Sequence, residues 1–422
     1  MNISFTSFFM ILRKSLWQYR VSTAITALSI GLATGLLLSV FSIRDQVNAA
    51  FISGTFGFDA VLGARGSKLQ LVLNAVYHLE TSPGNLSWDM YEAISENPSV
   101  LQAVPYALGD NYFGYRIVGT TNQLFEKNEI RKGHHLHIQS GGRQFDNMRQ
   151  EAVVGSFVAQ KTGLKVGDVI HPYHGLSFDP NTKHEEEYIV VGIMEPTNTP
   201  VDRVIFIPIE GVFRMGGHVL RGSGTEYTPE QGEAIPNEHK EVSAILLKLK
   251  NPQSGFMLDQ TINKQGKVAT LAWPIAMVMA ELFDKLGWVH HVLSLVAYLV
   301  VLVACASIIA SVYNTIHDRR KQIAILRALG ASRSDIFRLI IIECAYIGGL
   351  GAFLGYGIHF VIMGLASSVL RSQTGIMLDI MQMQTIHLWV VPAMMILGMI
   401  AGVLPAQKAY GTDVSSQLNP DS

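Results

Sequence analysis

Histidine is the first residue type here that could do chemistry, because eleven of the fourteen histidines lie between His78 and His291 and several stand close together. The run His134-His135-Leu136-His137, the pair His171 and His174, and His184 beside Glu185, Glu186 and Glu187 offer imidazole and carboxylate groups suited to zinc or another transition metal. On a strand, His135 and His137 share one face. No spacing matches a specific metal motif, and short histidine groups on loops are often only solvated. A metal site drawn from His134, His135, His137, His171, His174 and His184 therefore stands beside plain solvation.

A second group is cationic. Over residues 318–329, Ile323, Ile325, Leu326 and Leu329 supply an apolar side of a helix and Arg319, Arg320, Lys321 and Arg327 a charged one, with Gly330 placed as a C-cap. Such a helix can dock in a partner's groove or rest on lipid headgroups, and the residues alone leave both open. Glu343, near the start of an apolar helix, is expected to pair with a nearby arginine such as Arg338, a structural ion pair being favoured over a transport site. No G-x-x-x-x-G-K-S/T loop occurs, so the chain lacks that route to ATP hydrolysis, and no G-x-S-x-G or H-E-x-x-H places a nucleophile or a zinc pair. Enzyme function is the weakest class.

The elements that must position these groups are set by four apolar stretches with very uneven spacing. The first, 21–43, carries no charge, and its 23 residues extend roughly 34 Å at about 1.5 Å each, enough for a hydrocarbon core. It is too long for a typical signal-peptide apolar region and no small-residue cleavage site follows at once, so it reads as a retained helix. The others fall at 289–313, 342–370 and 388–409. The expected fold class is a membrane α-helical protein with four transmembrane helices and a large α+β extracytoplasmic domain, 44–288, inserted between helices 1 and 2.

Lys and Arg beside the spans set the orientation. Arg13, Lys14 and Arg20 lie in an amphipathic segment, 1–20, and Arg319, Arg320, Lys321, Arg327, Arg333 and Arg338 fill the loop 314–341, so both are expected in the cytoplasm. The short loop 371–387 is expected outside, and the tail 410–422 inside with the N-terminus. In a bacterial-type cell this is a multi-pass protein of the inner membrane with its large domain in the periplasm. Between Asp45 and Trp288 there are 20 basic against 27 acidic residues, a net of about −7, which leaves about +6 elsewhere. An acidic outer domain is a poor nucleic-acid binder, since phosphate neutralisation needs a basic surface; the basic inner loop can touch anionic lipid or a protein. The only cysteines, Cys305 and Cys344, belong to the membrane part and read as packing residues, so the outer domain depends on its own core.

Within that domain the pattern is mixed. Ser87 is placed to cap a helix over 88–94 and Ser156 one over 157–161, while 152–154, 169–170, 188–193 and 203–207 read as strands. The Gly-, Glu- and Pro-rich segment 221–241 reads as an exposed loop, and 275–288 as a helix leading into the second span. His359 reads as a packed, hydrogen-bonded residue, and Gly348, Gly349, Gly351, Gly355 and Gly357 as packing positions.

The segment Arg319-Arg320-Lys321-Gln322-Ile323-Ala324-Ile325-Leu326-Arg327-Ala328-Leu329-Gly330-Ala331-Ser332-Arg333, with Ile336 and Glu343, resembles the signature of FtsX-like permeases, the MacB and LolC/LolE group of the type VII ABC superfamily. Glu151 to Gly155, Gly163 to Asp168, the topology and Leu404-Pro405-Ala406 are similar to that group as well, and together they cover nearly the whole chain. The residues 410–418 depart from the group's basic, Pro-containing tail, so no tail contact carries over.

The resemblance implies that Arg319 to Gly330 is an ATPase-docking coupling helix. It implies a separate ABC ATPase subunit that holds ATP and Mg, no cofactor in this chain, and a second permease copy, as a homodimer or a heterodimer with a related permease. A periplasmic adaptor or substrate-binding protein is a further expected partner. The function implied is mechanical: closure of the ATPases moves the coupling helices, and the helical pattern from 275 to 329 carries that movement outward to act on a lipoprotein, lipid or peptide. Two alternatives share these features: a metal-linked ABC system with zinc at the histidines, and an FtsX-type signalling module that moves a partner without transport.

Overall fold

Strands such as Glu151–Val154 and Val204–Pro208, in which every residue is buried, need cover on both faces of their sheet. The computed structural model describes residues 5–53, 57–126, 129–131, 134–215 and 235–410, which divide into two units. The unit of residues 47–286 and 368–377 holds a ten-stranded sheet. Its order is Ala269–Ala272, Ala60–Ala64, Ala244–Leu249, Val100–Tyr112, Tyr115–Thr120, Val204–Pro208, Glu151–Val154, Tyr188–Ile193 and Val169–Ile170, with Tyr173–His174 added on Val100–Tyr112. Most neighbours are antiparallel, but Tyr188–Ile193 runs parallel to Glu151–Val154, and Val204–Pro208 parallel to Tyr115–Thr120.

Alternation along these strands sorts side chains into two cores. Ala60, Leu62, Ala103, Val154, Ile205 and Ile245 belong to one, while Val61, Val104, Val153, Phe206 and Leu246 belong to the other. Helices Trp88–Ser95, Ser156–Thr162 and Ile209–Arg214 supply Ile94, Val158 and Phe213 to the first core, and Lys68–Ala75 and Ile275–Lys285 supply Leu71 and Met279 to the second. The end of the 42-residue helix Arg333–Thr374 also contributes here: Leu370 and Ile376 enter the second core, and the Arg371 guanidinium bonds Gln160 Oε1 at 3.1 Å over the Phe157 ring.

The expected caps fare differently. Ser87 accepts from the Met90 amide at 3.4 Å at the start of its helix. Ser156 is instead the first helical residue, and the cap position belongs to Gly155, where a Cβ would stand 2.5 Å from the Asp202 carbonyl oxygen. Close backbone approach, rather than side-chain capping, selected the residue at that end. Of the expected loop 221–241, residues 221–234 lie outside the described residues, and 235–241 contain the single turn Asn237–His239; the tail 411–418 lies outside them as well.

The other unit comprises the described parts of 1–46, 287–367 and 378–422. Among the described residues, four helices are long and apolar enough to cross a membrane: Arg20–Phe51, Gly287–Asp318, Arg333–Thr374 and Thr385–Lys408. Gly31 and Gly35 on the first face Gly351 and Gly355 on the third. A Cβ added at Gly351 would meet Ile30 Cβ at 2.4 Å, and one at Gly355 would meet Thr34 Cβ at 2.6 Å, so two small-xxx-small stripes interlock.

A hydrogen-bond chain runs through the same unit. The Gln384 amide donates to His387 Nδ1 at 3.1 Å, and His387 Nε2 lies 3.3 Å from His359 Nε2. His359 Nδ1 lies 3.1 Å from Ser39 Oγ, which donates to the Gly35 carbonyl at 2.7 Å.

Candidate functional site

The helix Gly287–Asp318 and the short helix Arg320–Ala328 are separated by the single residue Arg319, at φ −96° and ψ 6°. Backbone bonds continue on both sides of it, Arg319 N to Thr315 O at 3.1 Å and Ile323 N to Arg319 O at 2.9 Å. The far end closes with Gly330 at φ +99°: its amide bonds the Arg327 carbonyl, and the Ala331 amide bonds the Leu326 carbonyl, each at 3.0 Å. This is the paired pattern of a left-handed glycine cap, which only glycine adopts without strain. Ser332 and Asp335 then cap the next helix reciprocally, Ser332 N to Asp335 Oδ2 at 3.0 Å and Asp335 N to Ser332 Oγ at 3.1 Å.

Burial divides the short helix differently from a simple apolar-versus-cationic split. Ile323 and Ala324 are buried and Leu326 is half-buried in a core with Ile316 and Ile336, whereas Ile325 is 51 % and Leu329 75 % exposed. Lys321 and Gln322 are exposed and Arg327 is half-exposed; the Arg320 side chain lies outside the described residues. The free face thus combines Ile325 and Leu329 with Lys321. Two large aliphatic side chains in solvent beside a cation form a surface suited to a protein groove.

Arg319 is not on that face. It is 8 % exposed and its Nη1 lies 3.1 and 3.4 Å from the two carboxylate oxygens of Glu343, whose Oε1 also accepts from Ser15 Oγ at 2.6 Å. The guanidinium also stands over the Tyr19 ring at 5.7 Å. The expected Glu343–Arg338 pair is therefore corrected to Glu343–Arg319, with Arg338 exposed. The physical reason is helical phase: five residues at about 100° each place Arg338 roughly 140° around the helix from Glu343. This clamp joins the N-terminal helix Phe5–Gln18, the joint before the short helix, and the third span.

The sheet-bearing unit of residues 47–286 and 368–377 brings together a subset of the candidate histidines. Antiparallel pairing sets Asp110 opposite His174, and the His184 amide bonds the Pro172 carbonyl at 2.9 Å, so Asp110, His174 and His184 offer ligand atoms within 4.8 Å of one another. Asp110 is 2 % and His184 8 % exposed. Hydrogen bonding to Asp110, reinforced by its charge, raises the His174 imidazole above its ordinary value. The supporting loop is held by Asn111 Nδ2, which bonds the carbonyls of Tyr173, Gly175 and Ser177 at 3.2, 3.0 and 3.2 Å, and by Phe178, whose ring meets Tyr173 edge-on and Phe113 at a tilt, each with centroids 4.8 Å apart. His171 is elsewhere, 3.5 Å from Glu187. His134 and His135 form a two-residue strand against 129–131, and their side chains, unlike that of His137, lie outside the described residues.

Comparison with known proteins gives two family matches that divide the chain as its helices do. Residues 23–263 match the MacB-like periplasmic core domain, and residues 294–414 match the FtsX-like permease C-terminal domain. The chain belongs to the FtsX-like, MacB-type ABC transporter permeases. An uncharacterised ABC transporter permease of Methanocaldococcus jannaschii is 23 % identical over 303 residues, which cover 69 % of this chain and 66 % of that one, just under two thirds. The lipoprotein-releasing system transmembrane protein LolE of Haemophilus influenzae is 23 % identical over 321 residues, 71 % of each chain. The crystal structure of the periplasmic region of MacB from Actinobacillus actinomycetemcomitans aligns with TM-score 0.33 and 11 % identity, covering 54 % of this chain and 94 % of that one.

In this permease, two site residues carried no sequence signal. Ser15 sits 328 positions from Glu343, and nothing local marks it as a carboxylate partner. Asp110 follows an apolar run and joins the histidines through the antiparallel pairing of its strand with Tyr173–His174, 64 positions away. A buried acid at the end of an otherwise apolar strand was the available hint.

Proposed function

We propose that this permease couples ATP hydrolysis by a separate ABC ATPase subunit to a conformational change in its outer unit, and so moves a lipoprotein, lipid or peptide. The observation that carries this reading is the short helix Arg320–Ala328, clamped at its start by a buried ion pair, stopped at its end by a glycine cap, and presenting Ile325, Leu329 and Lys321 to solvent. A rigidly held helix with an aliphatic and cationic face is what a pushing contact requires, because a loosely tethered one would absorb the displacement. The joints support the same reading: only Leu286 separates helix Ile275–Lys285 from Gly287–Asp318, and only Arg319 separates the latter from the short helix.

The proposed arrangement places the permease in the bacterial inner membrane, with both termini and the 314–341 loop in the cytoplasm and 44–288 in the periplasm. It places two permease copies beside two ATPase subunits, which hold ATP and Mg. The lipoprotein class of cargo is supported by the name of the Haemophilus relative. Ile325→Glu with Leu329→Glu should abolish co-purification of the ATPase while leaving the permease folded, because both side chains are already in solvent. Retention of the ATPase by that variant would remove the coupling role. Inserting Gly-Ser-Gly-Ser after Leu286 should leave the ATPase bound and hydrolysing while outer-unit function stops.

A further inference from the structure

We propose that Asp110, His174 and His184 form a binding site for a divalent first-row transition cation of the zinc type, on the outer unit of this permease. The inference stands on geometry inside that unit and holds or fails independently of the ATPase coupling. Asp110 Oδ1 lies 3.3 Å from His184 Nε2 and 3.4 Å from His174 Nδ1. Four ligands about 2.0–2.1 Å from a tetrahedral zinc are separated by about 3.3–3.4 Å, the edge of that tetrahedron. Both distances to Asp110 Oδ1 therefore already match edges of the coordination polyhedron, and they are long for a charge-assisted hydrogen bond, about 2.7–2.9 Å. The third edge, between the two imidazoles, is within 4.8 Å, and the His174 side chain is 51 % exposed.

The surroundings fit the same assignment. His184 turns Nε2 toward Asp110 and Nδ1 toward Glu186, 4.0 Å away, so Glu186 stands on the side where a metal-bound imidazole takes an outer carboxylate partner, though beyond hydrogen-bond distance here. Two imidazoles and one carboxylate select zinc, copper or nickel over calcium or magnesium, which take oxygen shells. Among the described residues the site supplies three protein ligands. The hydrogen bonds of Asn111 and the aromatic contacts of Phe178 hold the backbone of the loop that carries His174.

The test uses the purified full chain in detergent, stripped with chelator and dialysed against zinc, with metal content measured at equilibrium. The expected result is one tight zinc that His174→Ala weakens at least ~100-fold, since loss of an outer-shell partner alone typically costs 10–100-fold. His174 is half-exposed, so its variant reports on binding rather than folding. Glu186→Gln should weaken binding by ~10–100-fold, and His171→Ala and the His134→Ala/His135→Ala/His137→Ala triple variant should leave it unchanged. Copper in place of zinc should show two equivalent nitrogen couplings by electron paramagnetic resonance, falling to one in His174→Ala. Zinc bound equally by wild type and His174→Ala, or lost in the triple variant instead, overturns the proposal.

Discussion

Removing one side of the Arg319–Glu343 pair should cost far more than removing both. Nη1 of Arg319 lies 3.1 and 3.4 Å from the two oxygens, and the side chains are 10 % and 8 % exposed. At an effective dielectric near 20 the attraction at 3.1 Å is about 5 kcal/mol, and desolvation of both groups offsets much of it. With Glu343→Ala the guanidinium stays buried against Tyr19 without its carboxylate, and such uncompensated charges cost about 3–5 kcal/mol. Arg319→Met strands Glu343, though the 2.6 Å bond from Ser15 remains, so its cost should fall at the lower end of that range. The double variant Arg319→Met/Glu343→Leu buries two apolar side chains of similar volume and should lie within about 1 kcal/mol of wild type. Equilibrium unfolding of the purified full chain in mixed micelles gives the three differences and their coupling energy. A cost below about 1 kcal/mol for Glu343→Ala, or a double variant equal to the sum of the singles, would show the pair to be solvated and the clamp to hold nothing.

Helix packing and pH give two further predictions. Gly351→Val drives its Cβ into Ile30 Cβ at 2.4 Å and the Ala27 carbonyl at 2.9 Å, and should destabilise by about 1–3 kcal/mol, whereas Gly357→Ala, with nothing within 4 Å, should be neutral or mildly stabilising by thermal unfolding in detergent. Burial, reinforced by Arg116 and Arg203, lowers His78 in the outer unit to about 3, so below pH 6.5 the unfolded chain binds a proton that the folded one refuses. Stability is therefore lost as pH falls from 6.5 toward 3, by about 2 kcal/mol at pH 5 from this residue. His78→Asn tolerates the φ of 55° and should flatten that slope; an unchanged slope in unfolding measurements at pH 7 and pH 5 assigns the dependence elsewhere.

What was legible in the sequence follows from the range of the interaction involved. The four spans, the strand at Tyr188–Ile193 and the cap at Ser87 are local: apolar length, alternation and a single side-chain bond specify them. Gly155 was missed as a cap because its reason is the Asp202 carbonyl 47 positions away, and Arg338 was chosen for Glu343 because nearness in sequence stood in for helical phase. The candidate metal ligands show the same division. His174 and His184 were visible by residue type, but the carboxylate between them depends on the long-range pairing of Asp110 with His174. Local sequence thus reported which chemistry was available, and long-range pairing chose which groups meet. That division also explains why the short helix looked amphipathic in sequence yet exposes Ile325 and Leu329. The core formed with Ile316 and Ile336 takes only Ile323 and part of Leu326 from this helix, and the two exposed aliphatic side chains are surplus to it. Surplus apolar surface beside an exposed lysine, on a helix fixed at both ends, is the arrangement by which a partner would transmit a displacement through the joint at Arg319.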